Sequence, residues 1–404
     1  MNTNSNTFFI LKGDFQVKEI CLRYGMNPNQ SKAKVQNAKN TPIKILNGEA
    51  SYINFLDALN AFQLVRELRQ ATDQPAAASF KHVSPAGVAV YSPLNKTLSE
   101  SYFIEGVDLS PLAIAYARAR GTDRMSSFGD CAAFSDEVDI TVANLLKTEV
   151  SDMIVAPRYT QEALEILKQK KKGKYLILEI DPNYVPDPIE KRTVFGITLE
   201  QQRNDVQIGK EVFNHIVTTQ CDIPNHAKRD LLVALITLKY TQSNSICFAL
   251  DGQTIGIGAG QQSRIHCTRL AAEKADKWWL RQHPRALNMK FREGISRVEV
   301  NNAIDGWLND DITKVENEQW KRCFEEVPVR LSKSEKHEWL KRLKDVSYAS
   351  DAFLPFRDNI DRAAQSGVKY VVQTGNSLRD EQVTQAANEY GMIMAHSGIR
   401  VFHH

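Results

Sequence analysis

The chain has 404 residues, and its 51 Lys and Arg against 48 Asp and Glu leave a formal net charge of only +3 at pH 7. That balance excludes a surface built to neutralise many nucleic-acid phosphates, while local cationic sites for a small anion remain open. The length exceeds what one hydrophobic core usually serves, so two subdomains are expected, and no window approaches the roughly 20 apolar residues of a membrane span.

The start, Met1 to Thr7, is polar rather than basic-then-apolar, which points to a cytoplasmic protein. From Asn2 to about Gln36 the chain reads as irregular, and Gly25, Asn27, Pro28 and Asn29 break it just after Arg23-Tyr24. The apolar positions 55, 59, 62, 65 and 68 predict an amphipathic helix capped by Asn54 and ending near Pro75. A small-residue strand follows, Ala76-Ala77-Ala78-Ser79-Phe80-Lys81-His82, and Pro85 and Gly87 are expected to stop it as a turn. It sets a cation beside an imidazole where the backbone ceases to be regular. Such a pair is an acid/base couple or simply a solvated strand end, and taken alone the local sequence favours the solvated strand end.

Ser110 and Pro111 predict a helix start, and Arg124 to Phe134 reads as a strand in which Gly129 marks a bulge or a close ligand approach. Alternating helices (139–148, 160–170) and strands (153–156, 175–180) imply α/β layers. The proline-rich stretch Asp181 to Pro188 is the main punctuation, which divides the chain into 1–185 and 186–404. Beyond it a helix (227–240) leads to a hairpin turning at Asp251-Gly252. The hairpin ends in Gly256-Ile257-Gly258-Ala259-Gly260-Gln261, where Gln261 stands in place of the glycine a dinucleotide fingerprint needs. What remains is a helix start with Arg264 in its first turn, suited to an anion. Later segments read as helices around 311–324 and after Ser332, an aromatic and acidic stretch 350–359 suited to a flat ring, and a docked C-terminus containing Arg400. The six cysteines have no metal spacing against the nine histidines and read as reduced, packed thiols.

Taken together, Leu22 to Gly25, Ser79 to Gly87, Arg124 to Asp130, Lys239 to Ser245, Ile255 to Arg269, Ser350 to Arg362 and Phe402-His403-His404 resemble, in collinear order, the transformylase part of the bifunctional purine-biosynthesis enzyme, the aminoimidazole carboxamide ribonucleotide (AICAR) formyltransferase. The resemblance implies two cytidine-deaminase-like three-layer α/β subdomains with additional helices, and transfer of a formyl group from 10-formyltetrahydrofolate to the exocyclic amine of AICAR. It assigns His82 as proton acceptor, Lys81 as transition-state stabiliser, and Asn244 a role at the carboxamide edge or in positioning His82. Arg23, Tyr24, His82, Gly129, Asp152, Asn244, Arg264, Phe353 and Arg400 would bind AICAR, with Arg23 and Arg400 on the phosphate. Ile265, Asp358, Ser377 and Leu378 would bind the folate, although Gln373 to Asn376 departs from the family's proline-containing loop, and Asn29 stands where histidine is common. The resemblance further implies a homodimer with shared active sites and no catalytic metal. The cyclohydrolase domain that precedes this region in the bifunctional enzyme is missing, so ring closure is expected from a separate partner or from sequence not included here. The alternative is a catalytically weak AICAR-binding subunit that docks onto a separate cyclohydrolase.

Overall fold

The computed structural model describes residues 19–36 and 41–404; the polar start of the chain lies outside them. In chain order the strands are β1 (Glu19–Cys21), β2 (Lys34–Gln36), β3 (Ile43–Asn47), β4 (Ala76–Lys81), β5 (Ser84–Val90), β6 (Asp130–Phe134), β7 (Ser151–Ala156), β8 (Leu176–Ile180), β9 (Ile189–Val194), β10 (Ile197–Gln202), β11 (Ile246–Leu250), β12 (Gln253–Gly258), β13 (Val346–Ser350), β14 (Val368–Gln373) and β15 (Ile393–His396). Eleven of them form one mixed sheet in the order β15-β14-β13-β11-β12-β5-β4-β6-β7-β8-β3, flanked by helices, so the fold is α/β.

The sheet contains one arrangement twice. β4 and β5 form an antiparallel hairpin, β4 pairs antiparallel with β6, and β6, β7 and β8 run parallel. β11 and β12 repeat the hairpin, β11 pairs antiparallel with β13, and β13, β14 and β15 run parallel. Each hairpin follows a helix, Tyr52–Thr72 or Asn225–Lys239. The halves meet edge to edge where Gln253 of β12 pairs with Ala89 of β5.

Alternation along the strands sorts side chains to two faces. Ala76, Ala78, Phe80, Val88 and Val90 face the core shared with the two helices that precede the hairpins. Ala77, Ala132 and Phe134 face the Pro111–Thr122, Ile140–Thr148 and Gln161–Gln169 helices on the other side. Ile246, Phe248 and Tyr348 do the same against the helices Arg264–Leu280, Asp358–Gln365 and Asp380–Glu389. A smaller helical core around Trp307, Trp320 and Phe324 is inserted before β13.

Several local expectations are corrected. Pro85 and Gly87 lie inside β5, opposite Phe80 and Ser79, and do not end the ladder. The proline is tolerated because a bulge interrupts the pairing at Ser79/Phe80 and β12 reaches β5 only at Ala89. The first long helix is capped by Ser51 in a capping box, with Asn54 as the reciprocal partner three residues on. Residues 124–129 form turns, and the strand begins only at Asp130. Cys21 and Cys221 are exposed, so only some of the thiols are packed. β3 and the fully exposed β9–β10 hairpin were not anticipated; Arg192 of that hairpin donates to the His404 carbonyl at 3.0 Å.

Glycine is required where each hairpin packs on a long helix, Pro111–Thr122 for the first and Arg264–Leu280 for the second. A Cβ on Gly87 would stand 1.9 Å from the Ala119 carbonyl oxygen, and one on Gly256 would stand 2.1 Å from that of Ala271. Gly87→Ala is therefore expected to destabilise the protein by about 3 kcal/mol, since helix backbone cannot yield as a side chain would. Urea unfolding followed by circular dichroism checks this; an unchanged midpoint would show that the contact is slack.

Candidate active site

β4 ends at Lys81 and β5 begins at Ser84, and these two residues pair. The residues between them, His82 (φ 53°) and Val83 (φ 57°), both adopt left-handed backbone. A two-residue turn that matches the right-handed strand twist requires this and normally uses Asn-Gly. Here neither residue is glycine and one is β-branched, which costs roughly 1–2 kcal/mol per residue. Asp57 of the Tyr52–Thr72 helix holds the turn by accepting the Val83 N–H at 2.7 Å, from a position only 8% exposed. Lys81 Nζ donates to the Phe128 carbonyl at 2.5 Å, whereas His82 is exposed. The break in strand alternation thus begins at His82 itself, ahead of Pro85 and Gly87. Burial pushes the Asp57 carboxyl up to about 6, against the opposing effects of the Val83 N–H, His82 and Lys81.

The same end of the first half collects other candidate residues. Gly129 (φ 74°) follows Phe128, and a Cβ there would stand 3.3 Å from Asp152 Oδ2. Asp152 is exposed and ion-pairs with Lys171. Below them, Ser79 donates to Asp130 at 2.7 Å, and Arg120 bridges Asp130 (3.0 Å) and Glu149 (3.1 Å), a buried network that fixes the last turns of β4. Arg23 and Tyr24 are tied by backbone to the start of the Asp57 helix, through Arg23 N–H to Ala50 O (3.0 Å) and Tyr52 N–H to Tyr24 O (3.2 Å). The five-residue step from Tyr52 to Asp57 spans about 8 Å of helix.

In the second half the organiser is Asp351, a residue not singled out from sequence. It is fully buried and accepts from Ser243 Oγ (2.6 Å), Ser245 N (2.9 Å), Ser245 Oγ (3.0 Å) and the Arg264 guanidinium. Arg264 also donates to Asn244 Oδ1 at 2.7 Å, and Asn244 Nδ2 donates to the Gln261 carbonyl at 2.8 Å. The C-terminus joins through Val401 N–H to Asp351 O (2.9 Å) and Ser243 N–H to His403 O (3.0 Å). One hydrogen bond, Gln242 N–H to Ser84 Oγ at 3.2 Å, ties this cluster to the Lys81–Ser84 turn.

Three expectations change accordingly. Arg264 is not a free anion holder at a helix start, because its buried guanidinium neutralises Asp351. Asn244 spends its side chain on Arg264 and the 261–262 backbone, with no described hydrogen bond to His82. Only the backbone beside Arg400 is docked; its guanidinium is exposed and lies over the Phe402 ring at 4.8 Å. Among the described residues, Arg23, Lys81 and Arg400 have no carboxylate within ion-pair distance, and no contact joins Arg23 to Arg400.

Phe353 is 45% exposed beside Asp351. Asp358 accepts from Asn359 Nδ2 at 2.9 Å, and Asn359 in turn accepts from Thr268 at 2.8 Å, which fixes Asp358 against the helix carrying Ile265. Arg379 lies over the Phe356 ring at 4.7 Å and so connects the Ser377–Leu378 turn to the same segment. Two clefts of about 410 Å³ lie elsewhere, one beside Phe213 and Cys221 and the other beside Trp279 and Trp339. Neither is lined by Lys81, His82 or Arg264.

An imidazole next to an ammonium can take a proton from a nucleophile and stabilise a developing oxyanion. The family model described as AICARFT/IMPCHase bienzyme matches residues 4–274, and the chain belongs to this family. The bifunctional purine biosynthesis proteins PurH of Magnetococcus marinus, Xylella fastidiosa and Anoxybacillus flavithermus are 32%, 30% and 29% identical over 95%, 96% and 96% of the chain. The chain spans 59%, 58% and 60% of their lengths.

Asp57 supplies a test of the turn's electrostatics. Its carboxyl binds a proton more tightly in the folded chain than at its ordinary value of 3.8, so its unfavourable contribution appears as pH rises from about 4 and is complete above about 6. The titratable groups facing it are Lys81, His82 and, behind it, Cys131. Asp57→Asn is expected to raise stability relative to the parent by about 2 kcal/mol more at pH 8 than at pH 4.5. A difference independent of pH in denaturant titrations would contradict this.

Proposed function

We propose that this chain transfers the formyl group of 10-formyltetrahydrofolate to the 5-amino group of AICAR, giving the formamido nucleotide and tetrahydrofolate in purine biosynthesis. The observation that carries the reading is the Lys81-His82 turn, with Arg23 and Arg400 left without carboxylate partners, in a chain of this family. The amine of AICAR is conjugated with its ring and weakly nucleophilic. As it attacks the formyl carbon, His82 takes its proton and Lys81 stabilises the oxyanion; the bond to N10 of the folate then breaks as N10 receives a proton. Arg23 and Arg400 suit the phosphate, because a guanidinium fork without a carboxylate partner can donate two parallel hydrogen bonds to it. Phe353 offers a face to the ring, and Asp358 can accept hydrogen bonds from the pterin edge.

On this reading residues 1–185 are the first deaminase-like subdomain and 186–404 a helical insert with the second, in a cytoplasmic homodimer whose sites draw on both chains, and the chemistry uses no catalytic metal. The repeated hairpin followed by three parallel strands supports the subdomain reading. The test is a spectroscopic assay of tetrahydrofolate release from 10-formyltetrahydrofolate and AICAR. Turnover is expected, with His82→Ala lowering kcat by about 10²–10⁴-fold. Calorimetric binding of AICAR without turnover by the parent would instead favour the nucleotide-binding subunit, and full activity in His82→Ala would remove His82 from the chemistry.

A further inference from the structure

The helix before each hairpin carries an aspartate at its sixth residue, Asp57 in Tyr52–Thr72 and Asp230 in Asn225–Lys239. Both carboxylates accept from the two-residue turn of the hairpin that follows. Asp57 takes the Val83 N–H at 2.7 Å; Asp230 takes the Asp251 and Gly252 N–H groups, each at 2.7 Å. The device is therefore duplicated along with the fold. The two copies differ in what the turn carries.

In the second copy the turn is Asp251-Gly252, both left-handed (φ 50° and 77°), a conformation that aspartate visits more readily than most residues and that glycine adopts without strain. Its surroundings are filled: Arg118, fully buried, donates to Ser92 O (2.8 Å), Pro93 O (2.5 Å) and Asp251 Oδ2 (2.9 Å). In the first copy the turn is His82-Val83, two residues that resist that conformation, and His82 is exposed. Strained backbone persists only where its surroundings over-determine it. The side-chain bonds at the turn are Lys81 to the Phe128 carbonyl, the Val83 N–H to Asp57 and the Gln242 N–H to Ser84 Oγ, and of these only the Asp57 bond falls on a left-handed residue.

We propose that Asp57 is a positioning residue for His82, holding the left-handed His82–Val83 turn so that the imidazole is presented in one orientation. This rests on the formyl-transfer reading for its kinetic consequence but not for its geometry. Asp57 needs only its acceptor oxygen for the task, so Asp57→Asn is a conservative replacement. Glycine at position 83 would relieve the need for the clamp.

The experiment compares Asp57→Ala, Asp57→Asn, Asp57→Ala with Val83→Gly, and Asp230→Ala. Asp57→Ala is expected to lower kcat about 30-fold with KM for the nucleotide changed less than 3-fold, Asp57→Asn to stay within about 5-fold of the parent, and Val83→Gly to restore at least 5-fold to the Ala variant. Asp230→Ala is the control, expected to lower stability without that loss of kcat. A second readout needs no turnover: the His82 imidazole NMR signal of the ligand-free protein, assigned with His82→Gln, should be single in the parent, broadened or doubled in Asp57→Ala, and single again once Val83→Gly is added. An unaltered imidazole signal and kcat in Asp57→Ala would overturn the proposal, as would an equal kcat loss in Asp230→Ala. A parent without turnover would overturn the formyl-transfer reading while the imidazole signal still decides the positioning role.

Discussion

A hairpin turn of two residues can follow the twist of its strands only in left-handed backbone, and most side chains resist that conformation. In this fold the conflict is met by a carboxylate rising from the helix packed beneath the hairpin. The helix, the hairpin and the carboxylate come as one unit, and the unit occurs twice. Because β5 and β12 then join side by side and antiparallel, the turn of the first unit lies against the start of β11 and the carboxyl end of β13 in the second. The carboxyl ends of strands are where open α/β sheets commonly bind ligands. The candidate site is thus a product of how two copies of one arrangement meet.

Buried charge pairs set the alignment of the copies. Lys239 donates to Glu67 at 2.8 Å, and Tyr240 donates to the same oxygen at 2.7 Å, which bridges the two helices that precede the hairpins. Asp351 and Arg264 form a buried pair inside the second half, where the Asp351 backbone carbonyl also accepts from Val401 of the C-terminal segment. Such pairs add little net stability compared with apolar packing, but removing one partner strands a buried charge at a cost of several kcal/mol, roughly 3–5. Their consequence here is geometric: Arg264 and Asn244 hold the frame around Asp351, while the guanidinium groups of Arg23 and Arg400 are exposed.

Much of the layering was legible in the sequence because local signals agreed with the global fold. Ser110-Pro111 began a helix as the cap rules require, and the Asp251-Gly252 hairpin and the parallel strands followed from their apolar runs. Lys81-His82 could be placed at a strand end, but on local sequence it read as a solvated pair and gained assigned roles only through the family resemblance. Pro85 and Gly87 misled, because their tolerance depends on a bulge and on a free strand edge that only the sheet order reveals. Asp57 was hidden for a related reason: a carboxylate in an amphipathic helix reads as part of the polar face. The available signal was its placement among Phe55, Ala58 and Phe62, all buried. Asp351 lay in a segment already marked as rich in function, but its partners, Ser243, Ser245 and Arg264, are distant in sequence and converge only through β11 and β13.

The most direct test of the central claim is a structure with AICAR bound. The expected result has the 5-amino group within hydrogen-bonding distance of the His82 imidazole, Lys81 near the point of formyl attack, and the phosphate on Arg23 and Arg400, from one chain or from two. Nucleotide bound in either of the clefts beside Phe213 or Trp279, with the Lys81-His82 turn empty, would contradict it.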